Sequence, residues 1–255
     1  MVSANRQYKI LQDLVYNECG INLHDGKLEL LKARVAKRMR VTGIGSLDNY
    51  IELLGRDENE FLSFIDAVST NHTFFFRENH HCEFLIQSVE NSRYLKIWSA
   101  ASSSGEEAYS IAVQLSDKGF RFDILASDIS NTMLNLGKRG IYHRDRVRLV
   151  PYQLLREYFQ KGCDKWEGHL RIKKEMKNLV RFERHNLITD GSPGLFDIIF
   201  CRNVMIYFDD NTRQKVVDKL YRALEKGGYL IIGAAEGLVG VNHSFMYVQP
   251  SIYRK

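Results

Sequence analysis

The chain has 255 residues, of which 44% are hydrophobic and 26% are charged, and its formal net charge is +5. This composition is that of an ordinary globular protein and excludes a low-complexity chain or one with an apolar stretch long enough to cross a bilayer. The amino terminus lacks the apolar core of a secretory signal, so we expect a cytoplasmic protein with reduced thiols. Four cysteines are far apart in the sequence and show no C-x-x-C pairing: Cys19, Cys82, Cys163 and Cys201. This spacing disfavours both a metal site and a disulfide framework.

Residues up to about 89 follow helical patterns, and no strand pattern interrupts them. Glycines at positions 20, 43, 45 and 55 separate the helical stretches. We expect helices at Arg6–Glu18, Lys27–Arg40, Leu47–Leu54, Glu58–Val68 and Asn79–Val89. The pattern therefore predicts an N-terminal helical domain over residues 1–70, followed by a linker and a connecting helix over residues 71–90.

The helix predicted at Lys27–Arg40 combines six basic residues with a single acid. Its apolar residues fall on one stripe at 100° per residue, namely Leu28, Leu31, Val35 and Met39. Four basic residues group beside that stripe, on a flank predicted to be exposed: Lys27, Arg34, Lys37 and Arg38. The flank suits a helix that packs on a small bundle and offers positive charge to an acidic partner. A merely solvated face explains the same pattern equally well.

After Asn91 the pattern changes to apolar strands that alternate with helices, which predicts an α/β domain over residues 91–255 with a doubly wound parallel sheet. We expect strands at Leu95–Ala100, Asp123–Ser127, Val180–Arg184, Phe196–Cys201, Tyr229–Gly233 and Phe245–Tyr253. Helices are expected at Glu106–Lys118, Asn131–Arg139 and Thr212–Leu224. Such a sheet binds its ligand beyond the carboxyl ends of the strands, so the residues that follow each strand are the candidates for function.

One stretch, at about residues 160–182, interrupts this alternation. Gly162 and Gly168 are turn residues, and Leu170 and Ile172 alternate with polar neighbours. This pattern predicts a small antiparallel hairpin inserted into the sheet topology. An insertion of this kind either recognises a partner or is a passive surface excursion, and the pattern does not distinguish the two.

The loop after the first strand runs from Ala101 through three serines to Gly105, Glu106 and Glu107, where a helix begins. Small side chains let a ligand approach the backbone closely, but the G-x-G-x-x-G pattern of dinucleotide enzymes is absent. The two glutamates would repel a pyrophosphate at the helix start. The sulfonium and ammonium groups of S-adenosylmethionine fit the acids better, although the glutamates also stabilise a first helical turn.

Polar residues follow two further strands. Asp128 ends the second strand, where an acid in this fold class accepts hydrogen bonds from ribose hydroxyls; capping of the next helix, for which Ser130 is equally suited, is the alternative. Arg202, Asn203 and Tyr207 follow the fourth strand, where enzymes that methylate amines carry an Asp/Asn-Pro-Pro-aromatic motif that this chain lacks. A guanidinium, an amide and a phenol suit a substrate with its own negative charge.

The run Thr70–Glu78, TNHTFFFRE, joins the helical region to the sheet. Three consecutive phenylalanines cannot all lie on one helix face. We therefore expect an ordered linker that packs over the ligand end of the sheet, with Arg77 pointing into the cleft.

Five segments carry a resemblance to a known family: TNHTFFFRE, WSAASSSGEEAYS, ASDIS, RHNL and FDIIFCRNVMIYF. In this order and spacing they resemble the chemotaxis receptor methyltransferase family, which methylates glutamate side chains of bacterial chemoreceptors, over essentially the whole chain. The resemblance implies a Rossmann-like methyltransferase sheet with an N-terminal helical domain and a small inserted antiparallel β-subdomain. It implies that nine residues surround S-adenosylmethionine, or the product S-adenosylhomocysteine: Asn71, Thr73, Arg77, Glu107, Asp128, Asn186, Leu187, Arg202 and Asn203. Arg77 and Tyr207 match the residues associated with catalysis.

The resemblance also implies partners. The basic helix would contact the acidic methylation region of a receptor, and the hairpin would hold a tether peptide from a receptor C-terminus. We expect a monomer that does not insert into the membrane and does not bind nucleic acid. Two positions depart from the family pattern: Ala108 replaces a proline, and Ala234-Ala-Glu236 replaces His-Ser-Glu, which leaves the role of Glu236 open. The alternatives are a methyltransferase for a small acid or RNA, and a non-catalytic module that binds the methyl donor.

Overall fold

The computed structural model describes residues 2–23, 28–69 and 71–255. Its first part is a helical bundle made of α1 (Val2–Cys19), α2 (Leu28–Thr42), α3 (Leu47–Arg56) and α4 (Glu58–Val68). One apolar side chain from each helix is fully buried in a common core: Leu11, Val35, Tyr50 and Phe64. The bundle therefore has a hydrophobic core of its own, as the helical periodicity of the sequence predicts.

The N-terminal ends of α3 and α4 are fixed by side-chain caps. The Ser46 side chain accepts a hydrogen bond from the backbone of Asn49, and Asp57 accepts bonds from the backbone of Asn59 and Glu60. Each cap satisfies N–H groups that the first turn of a helix leaves without partners. These caps explain why the breaks between the predicted helices fall where they do.

The predicted basic flank of α2 is not a uniformly exposed surface. Nε of Arg38 donates to Oε1 of Glu60 at 3.0 Å, its Nη2 pairs with Oε2 of the same carboxylate, and Oη of Tyr50 donates to Oε1 at 2.8 Å. Glu60 is only 7% exposed. Arg38 thus neutralises a buried acid inside the bundle, and the prediction that it lies on an exposed flank is wrong.

Arg34 departs from the predicted flank in the same way. Its Nη1 donates to the backbone carbonyls of Val68 and Ser69, the latter at 3.0 Å, at the end of α4. Lys37 is exposed as predicted, and Lys27 lies outside the described residues. The prediction failed for Arg34 and Arg38 because a helical projection places each Cβ but does not show how far a long side chain reaches towards a neighbouring helix.

The second part of the chain contains every strand of the described residues. The strands are β1 (Tyr94–Ala100), β2 (Arg121–Asp128), β3 (Ile141–His143), β4 (Phe159–Lys161), β5 (His169–Ile172), β6 (Val180–Arg184), β7 (Phe196–Cys201), β8 (Leu224–Ile232), β9 (Met246–Gln249) and β10 (Ile252–Arg254). They alternate with α5 (His80–Ser88), α6 (Glu106–Asp117), α7 (Asn131–Arg139), α8 (Tyr152–Tyr158), α9 (Lys174–Lys177) and α10 (Asp210–Ala223). The alternation that the sequence predicts is confirmed.

Seven strands form the main sheet in the order β6-β2-β1-β7-β8-β10-β9. The five strands from β6 to β8 in this order are parallel, and β10 is antiparallel to both of its neighbours. From β1 the chain builds one side of the sheet, and from β7 it builds the other. The switch point therefore lies between β1 and β7, where a doubly wound sheet binds its ligand beyond the carboxyl ends of the strands.

A separate antiparallel sheet, with the order β3-β5-β4, confirms the predicted insertion. It has one more strand than the predicted hairpin, because β3 lies upstream of the predicted range and pairs with β5. Three residues, Ile141 to His143, are too few to show an alternating pattern. We call residues 141–172 the small-sheet subdomain.

The predicted final strand Phe245–Tyr253 is two strands in the structure. β9 and β10 are separated by a turn at Pro250 and Ser251, and the backbone of Ser251 is left-handed, with φ of 66°. A single strand through this position is disfavoured because proline lacks the N–H that a sheet requires.

Among the described residues, no helix combines the length and the apolar character needed to cross a bilayer.

Candidate active site

A cleft of about 1110 Å³, including its open mouth, lies beyond the carboxyl ends of β1, β2 and β7. Further parts of its wall come from the linker at residues 71–79, the end of α1, α6 and the segment after β6. All the predicted cofactor and catalytic residues line it: Asn71, Thr73, Arg77, Glu107, Asp128, Asn186, Leu187, Arg202, Asn203 and Tyr207. The fold thus brings together side chains from segments far apart in the chain.

The linker is non-helical, as its three phenylalanines predict. Phe75 is fully buried, and its ring packs edge-on against Tyr142 in β3 and Phe159 in β4, with centroid distances of 4.9 and 5.3 Å. Oγ of Ser110 accepts a hydrogen bond from the Phe76 N–H at 3.0 Å. The linker is therefore held by both α6 and the small-sheet subdomain.

Arg77 lies between two residues with left-handed backbones. Phe76 and Glu78 have φ values of 61° and 51°, which cost conformational energy in any residue with a Cβ. Nη1 of Arg77 donates to the carbonyl of His72 at 2.8 Å, and the guanidinium lies 5.9 Å from the ring centroid of Phe74. Such a backbone persists only where its surroundings hold it, and this pattern is common at functional sites.

The loop between β1 and α6 turns sharply at the floor of the cleft. Ala101 and Ser103 have positive φ values of 62° and 50°. At Gly105, where φ is 89°, a Cβ atom would come within 2.7 Å of the Phe182 ring, so only glycine fits. The small residues predicted to let a ligand approach the backbone therefore do form one wall of the cleft.

The two glutamates after this loop point to different places. Glu107 lines the cleft, and its Oε1 accepts a hydrogen bond from Oγ of Ser99 at 2.7 Å. Glu106 is 1% exposed and does not line the cleft; its carboxylate binds Oγ of Ser104 at 2.7 Å and Nη1 of Arg146 at 3.1 Å. The expectation that both carboxylates face the ligand is wrong for Glu106, because adjacent helical residues point about 100° apart.

Arg202 is the centre of a buried charge cluster. Its Nη1 lies 3.1 Å from Oε2 of Glu107, and its Nη2 lies 3.0 Å from Oε2 of Glu78 and donates to the carbonyl of Arg77 at 2.7 Å. Burial lowers the pKa of Arg202, but the two carboxylates outweigh it and raise the pKa above its usual value. Arg202 therefore stays charged and joins three walls of the cleft.

Glu78 is the last residue of the segment TNHTFFFRE, and the sequence alone did not indicate a role for it at the site. Besides Arg202, it accepts hydrogen bonds from Nδ2 of Asn203 at 3.4 Å and from the Ala234 N–H at 3.1 Å. Burial raises the pKa of Glu78, but Arg202 and these hydrogen bonds lower it by more than burial raises it. The pKa of Glu78 is therefore below its usual value. The carboxylate therefore links the linker to the loops after β7 and β8.

Glu236, whose role the sequence left open, anchors the loop after β7. Its carboxylate accepts hydrogen bonds from the backbone N–H groups of Gly233 and Asn203 at 2.7 Å, Met205 at 2.8 Å and Ile206 at 3.3 Å. Asn203 has a left-handed backbone, with φ of 58°. The single carboxylate thus replaces the backbone partners that a tight turn cannot supply.

Asp128 fixes the end of β2 through both carboxylate oxygens. Oδ2 accepts from the Ser103 N–H at 2.8 Å, and Oδ1 accepts from the Ser130 N–H at 2.9 Å. The side chain of Ser130, and not that of Asp128, caps α7 by accepting from Met133. The capping alternative for Asp128 is therefore excluded, and its carboxylate remains in the cleft wall.

Asn186 and Leu187 form the side of the cleft next to the helical bundle. Nδ2 of Asn186 donates to the carbonyl of Glu18 at the end of α1, at 2.7 Å, and its Oδ1 accepts from the Ile188 N–H at 2.9 Å. Leu187 is 8% exposed and lines the cleft. This side of the site therefore depends on the docking of α1 against the sheet.

Tyr207 lies where the helical bundle meets the cleft. Its carbonyl accepts a hydrogen bond from the Asn22 N–H at 2.9 Å, and its side chain lines the cleft. Burial lowers the pKa of Arg34 on α2, and the nearby Tyr207 phenol partly offsets that effect. Arg34, predicted to face a receptor, is therefore within the electrostatic influence of the predicted catalytic phenol.

The polar groups of the cleft fit S-adenosylmethionine. Oγ of Ser102 is buried in the wall and has no hydrogen-bond partner within the described ranges, so it is available to a ligand. Glu107 and Asp128 suit the ammonium group and the ribose hydroxyls of that molecule. A phosphate at the start of α6 would instead meet the carboxylate of Glu107.

Comparisons with known proteins match the chain to one family over nearly its whole length. A model of the CheR methyltransferase SAM binding domain matches residues 71–253, and one of the CheR methyltransferase all-alpha domain matches residues 6–69. The chemotaxis protein methyltransferase of Borreliella burgdorferi is 39% identical over 95% of this chain and 91% of its own length. Chemotaxis protein methyltransferase 2 of Pseudomonas aeruginosa is 35% identical over 98% and 93%. The chemotaxis protein methyltransferase of Escherichia coli is 34% identical over 98% and 91%.

Proposed function

The chain belongs to the CheR methyltransferase family, and on that premise we propose that it methylates glutamate side chains of bacterial chemoreceptors. The methyl donor is S-adenosylmethionine, and the products are glutamyl methyl esters that serve chemotaxis adaptation. The observation that carries the proposal is the convergence of Arg77, Arg202 and Tyr207 with the carboxylates of Glu107 and Asp128 in one cleft at the switch point of the sheet. Because the two carboxylates paired with Arg202 already balance its charge, the Arg77 guanidinium and the Tyr207 phenol are the groups that suit a substrate that is itself an anion.

The donor would be held by the residues that line the floor and the bundle side of the cleft. Asp128 would accept hydrogen bonds from the ribose, Glu107 would face the ammonium group, and Leu187 would contact the apolar surface of the adenine. The set of proposed donor-binding residues is completed by Asn71, Thr73, Arg77, Asn186, Arg202 and Asn203. When bound, S-adenosylmethionine supplies a methyl group that the sulfonium makes electrophilic.

The chemistry requires little more of the protein than orientation. A glutamate carboxylate has a reference pKa of about 4.3 and is already ionised near neutral pH, so no general base is required. Orientation alone contributes roughly 7–11 kcal/mol in well-aligned systems. Because the carboxylate loses its charge during the transfer, tight ion pairing would stabilise the reactant and slow the reaction.

Two side chains are proposed to perform that orientation. Arg77 lines the cleft, and its nearest carboxylate contact, to Oε1 of Glu78, is long at 3.9 Å. Its charge is thus available to steer an incoming carboxylate without holding it in a tight pair. Tyr207 would place its hydroxyl beside the transferring methyl group and hold the acceptor oxygen in line.

The partner surfaces follow from the same proposal. Lys37 on α2 is exposed and offers positive charge to the acidic methylation region of a receptor. In the small-sheet subdomain, β3 and β4 form the two edges of the sheet, and an extended receptor tether would add a strand to one of them. Because the substrate regions of chemoreceptors face the cytoplasm, we propose a cytoplasmic location.

Incubation with radiolabelled S-adenosylmethionine and chemoreceptor cytoplasmic fragments tests the proposal. The expected result is label on the fragment that mild base releases, as a methyl ester does. Fragments with the acceptor glutamates changed to glutamine serve as the matched control and should remain unlabelled. Label on RNA or on small acids instead of the fragment would replace this function with one of the alternatives. Binding of the donor without any transfer would indicate a non-catalytic module.

A further inference from the structure

The conformation of the linker requires a support that its own sequence does not provide. Phe76 and Glu78 both have left-handed backbones, on either side of Arg77. Neither is glycine, so each conformation is unfavourable relative to the usual backbone regions. Contacts from outside the linker must offset this cost.

Much of that support comes from the small-sheet subdomain. Phe75 packs against Tyr142 and Phe159, which belong to its two edge strands. Oη of Tyr142 donates to the carbonyl of Ser104 at 2.7 Å, in the loop after β1. The subdomain thus contacts both the linker and the floor of the cleft.

Arg146 makes the most direct of these contacts. It lies in a 3₁₀ turn, Arg144–Val147, that follows β3. Its carbonyl accepts the N–H of Phe75 at 3.0 Å, and its Nη1 donates to the carbonyl of Thr73. One residue therefore holds the linker at two nearby backbone groups, the Thr73 carbonyl and the Phe75 N–H.

Glu106 orients the Arg146 guanidinium. Oε1 of Glu106 lies 3.1 Å from the same Nη1, and the carboxylate is 1% exposed. A buried carboxylate with a fixed partner holds an arginine in one direction. This explains why a charged side chain occupies the buried first turn of α6 without lining the cleft.

We infer that Arg146 is a positioning residue for methyl transfer: oriented by Glu106, it holds the linker so that Arg77 is correctly placed in the cleft. The small-sheet subdomain is then a structural support of the reaction centre, in addition to any part in partner binding. The inference rests on the proposed function only in using methyl transfer as one readout.

The first test compares R146M with R144M. Arg144 lies in the same turn and is exposed, and its side chain makes no hydrogen bond or ion pair to the described residues. Loss of the Thr73 contact should lower kcat by roughly 10- to 100-fold, the range expected for a small misplacement of a reacting group. KM for the receptor fragment should change by less than about twofold, and R144M should behave as the wild type. Unchanged kcat in R146M would overturn the inference.

A second variant separates positioning from stability. R146M leaves the Glu106 carboxylate buried without its cation, with only the hydroxyl of Ser104 as a side-chain partner, which destabilises the fold by itself. The double variant E106Q/R146M removes that charge, so its thermal midpoint should exceed that of R146M while its kcat remains as low. If the double variant regained wild-type kcat, Arg146 would serve only to neutralise Glu106, and the inference would be wrong.

A third measurement does not require any substrate. Hydrogen exchange of a peptide that covers residues 71–78 should accelerate in R146M and in E106Q/R146M, but not in R144M. Unchanged exchange in the first two variants would contradict the positioning role. If exchange accelerates as expected while the wild-type protein labels no receptor fragment, the proposed function fails and the positioning role stands.

Discussion

Oε2 of Glu78 lies 3.0 Å from Nη2 of Arg202, although the two residues are 124 positions apart. Their side chains are only 18% and 5% exposed. The pair joins the linker to the loop after β7, and Nη1 of Arg202 extends it to Glu107 in α6. Three segments that carry predicted site residues are thus connected through one guanidinium, and the placement of Arg77 and Tyr207 depends on this connection.

Replacement of Glu78 by glutamine should destabilise the protein and impair turnover. The amide keeps the shape of the side chain but removes one of the two charges that neutralise Arg202. Because Glu107 still pairs with Arg202, we expect a loss of about 2 kcal/mol in the free energy of unfolding, less than for a fully broken buried pair. Urea denaturation measures this loss. E90Q, at an exposed site near the end of α5, is the control and should match the wild type.

Tyr207→Phe should separate turnover from donor binding. The substitution removes the hydroxyl and keeps the ring, so the cleft wall is preserved. If the hydroxyl holds the acceptor carboxylate, kcat falls by about 10²-fold, whereas the affinity for S-adenosylhomocysteine changes little. Calorimetry and single-turnover kinetics give the two numbers. A large loss of affinity with unchanged turnover would assign the hydroxyl to the donor instead.

Glu236→Gln should disturb the loop that carries Arg202 and Tyr207. The two carboxylate oxygens accept hydrogen bonds from four backbone N–H groups, whereas the amide of glutamine has only one oxygen that can accept them. At least one buried donor then lacks a partner, which costs about 1–3 kcal/mol. We expect a lower thermal midpoint, weaker donor binding and lower turnover together. Glu225→Gln, at an exposed position in β8, is the matched control. Wild-type donor binding in E236Q would contradict this anchoring role.

The sequence predicted the parts of the site that local pattern determines. The loop after β1, Asp128 at the end of β2 and Arg202 after β7 each follow an apolar strand, and the carboxyl ends of parallel strands meet at one edge of a sheet. Glu78 and Glu236 were not assigned because their roles depend on backbone groups that only the folded chain brings near.

The predictions that were wrong, for Glu106 and Arg38, failed because the partner of each side chain is also known only from the folded chain. Glu106 and Glu107 are equivalent in sequence, but one ends in the cleft and the other reaches Arg146. Arg38 belongs by periodicity to an exposed flank, but its side chain pairs with a buried acid two helices away in the chain, Glu60. Periodicity gives the direction of a Cβ atom and not the partner at the end of a long side chain.

Arg38 and Lys37 should therefore differ when each is replaced by methionine. Arg38→Met leaves Glu60 buried without its cation, so we expect a loss of about 3 kcal/mol in stability and a lower thermal midpoint. Lys37→Met should leave the midpoint unchanged and raise KM for the receptor fragment, more at low than at high salt. Calorimetric melting and kinetics at two salt concentrations measure both effects. Equal midpoints for the two variants would contradict the burial of the Arg38 ion pair.

His81 contributes an acid sensitivity of stability. The ring is fully buried in α5, and neither ring nitrogen has a hydrogen-bond partner in the part of the chain that the structure describes. The groups that face it are Arg202, His80 and the Glu78 carboxylate, whose Oε2 lies 3.8 Å from Nδ1. Burial, together with the positive charge of Arg202, lowers the pKa of His81 to about 3.

His81→Leu should accordingly flatten the dependence of stability on pH in acid. In the unfolded chain the histidine takes up a proton below about pH 6.5, whereas in the folded protein it remains neutral until about pH 3. Between these values the unfolded state binds more protons, so this group lowers stability by about 1.4 kcal/mol for each unit by which the pH falls. Leucine removes that contribution, and H243Q, at an exposed histidine that does not face His81, is the control and should keep the pH dependence of the wild type. Urea denaturation at pH 7 and pH 5 should show a difference between H81L and wild type that shifts by roughly 2 kcal/mol in favour of the variant at the lower pH. An equal pH dependence in the two proteins would mean that the pKa of His81 is the same in the folded and unfolded states, which would contradict the effect of its burial.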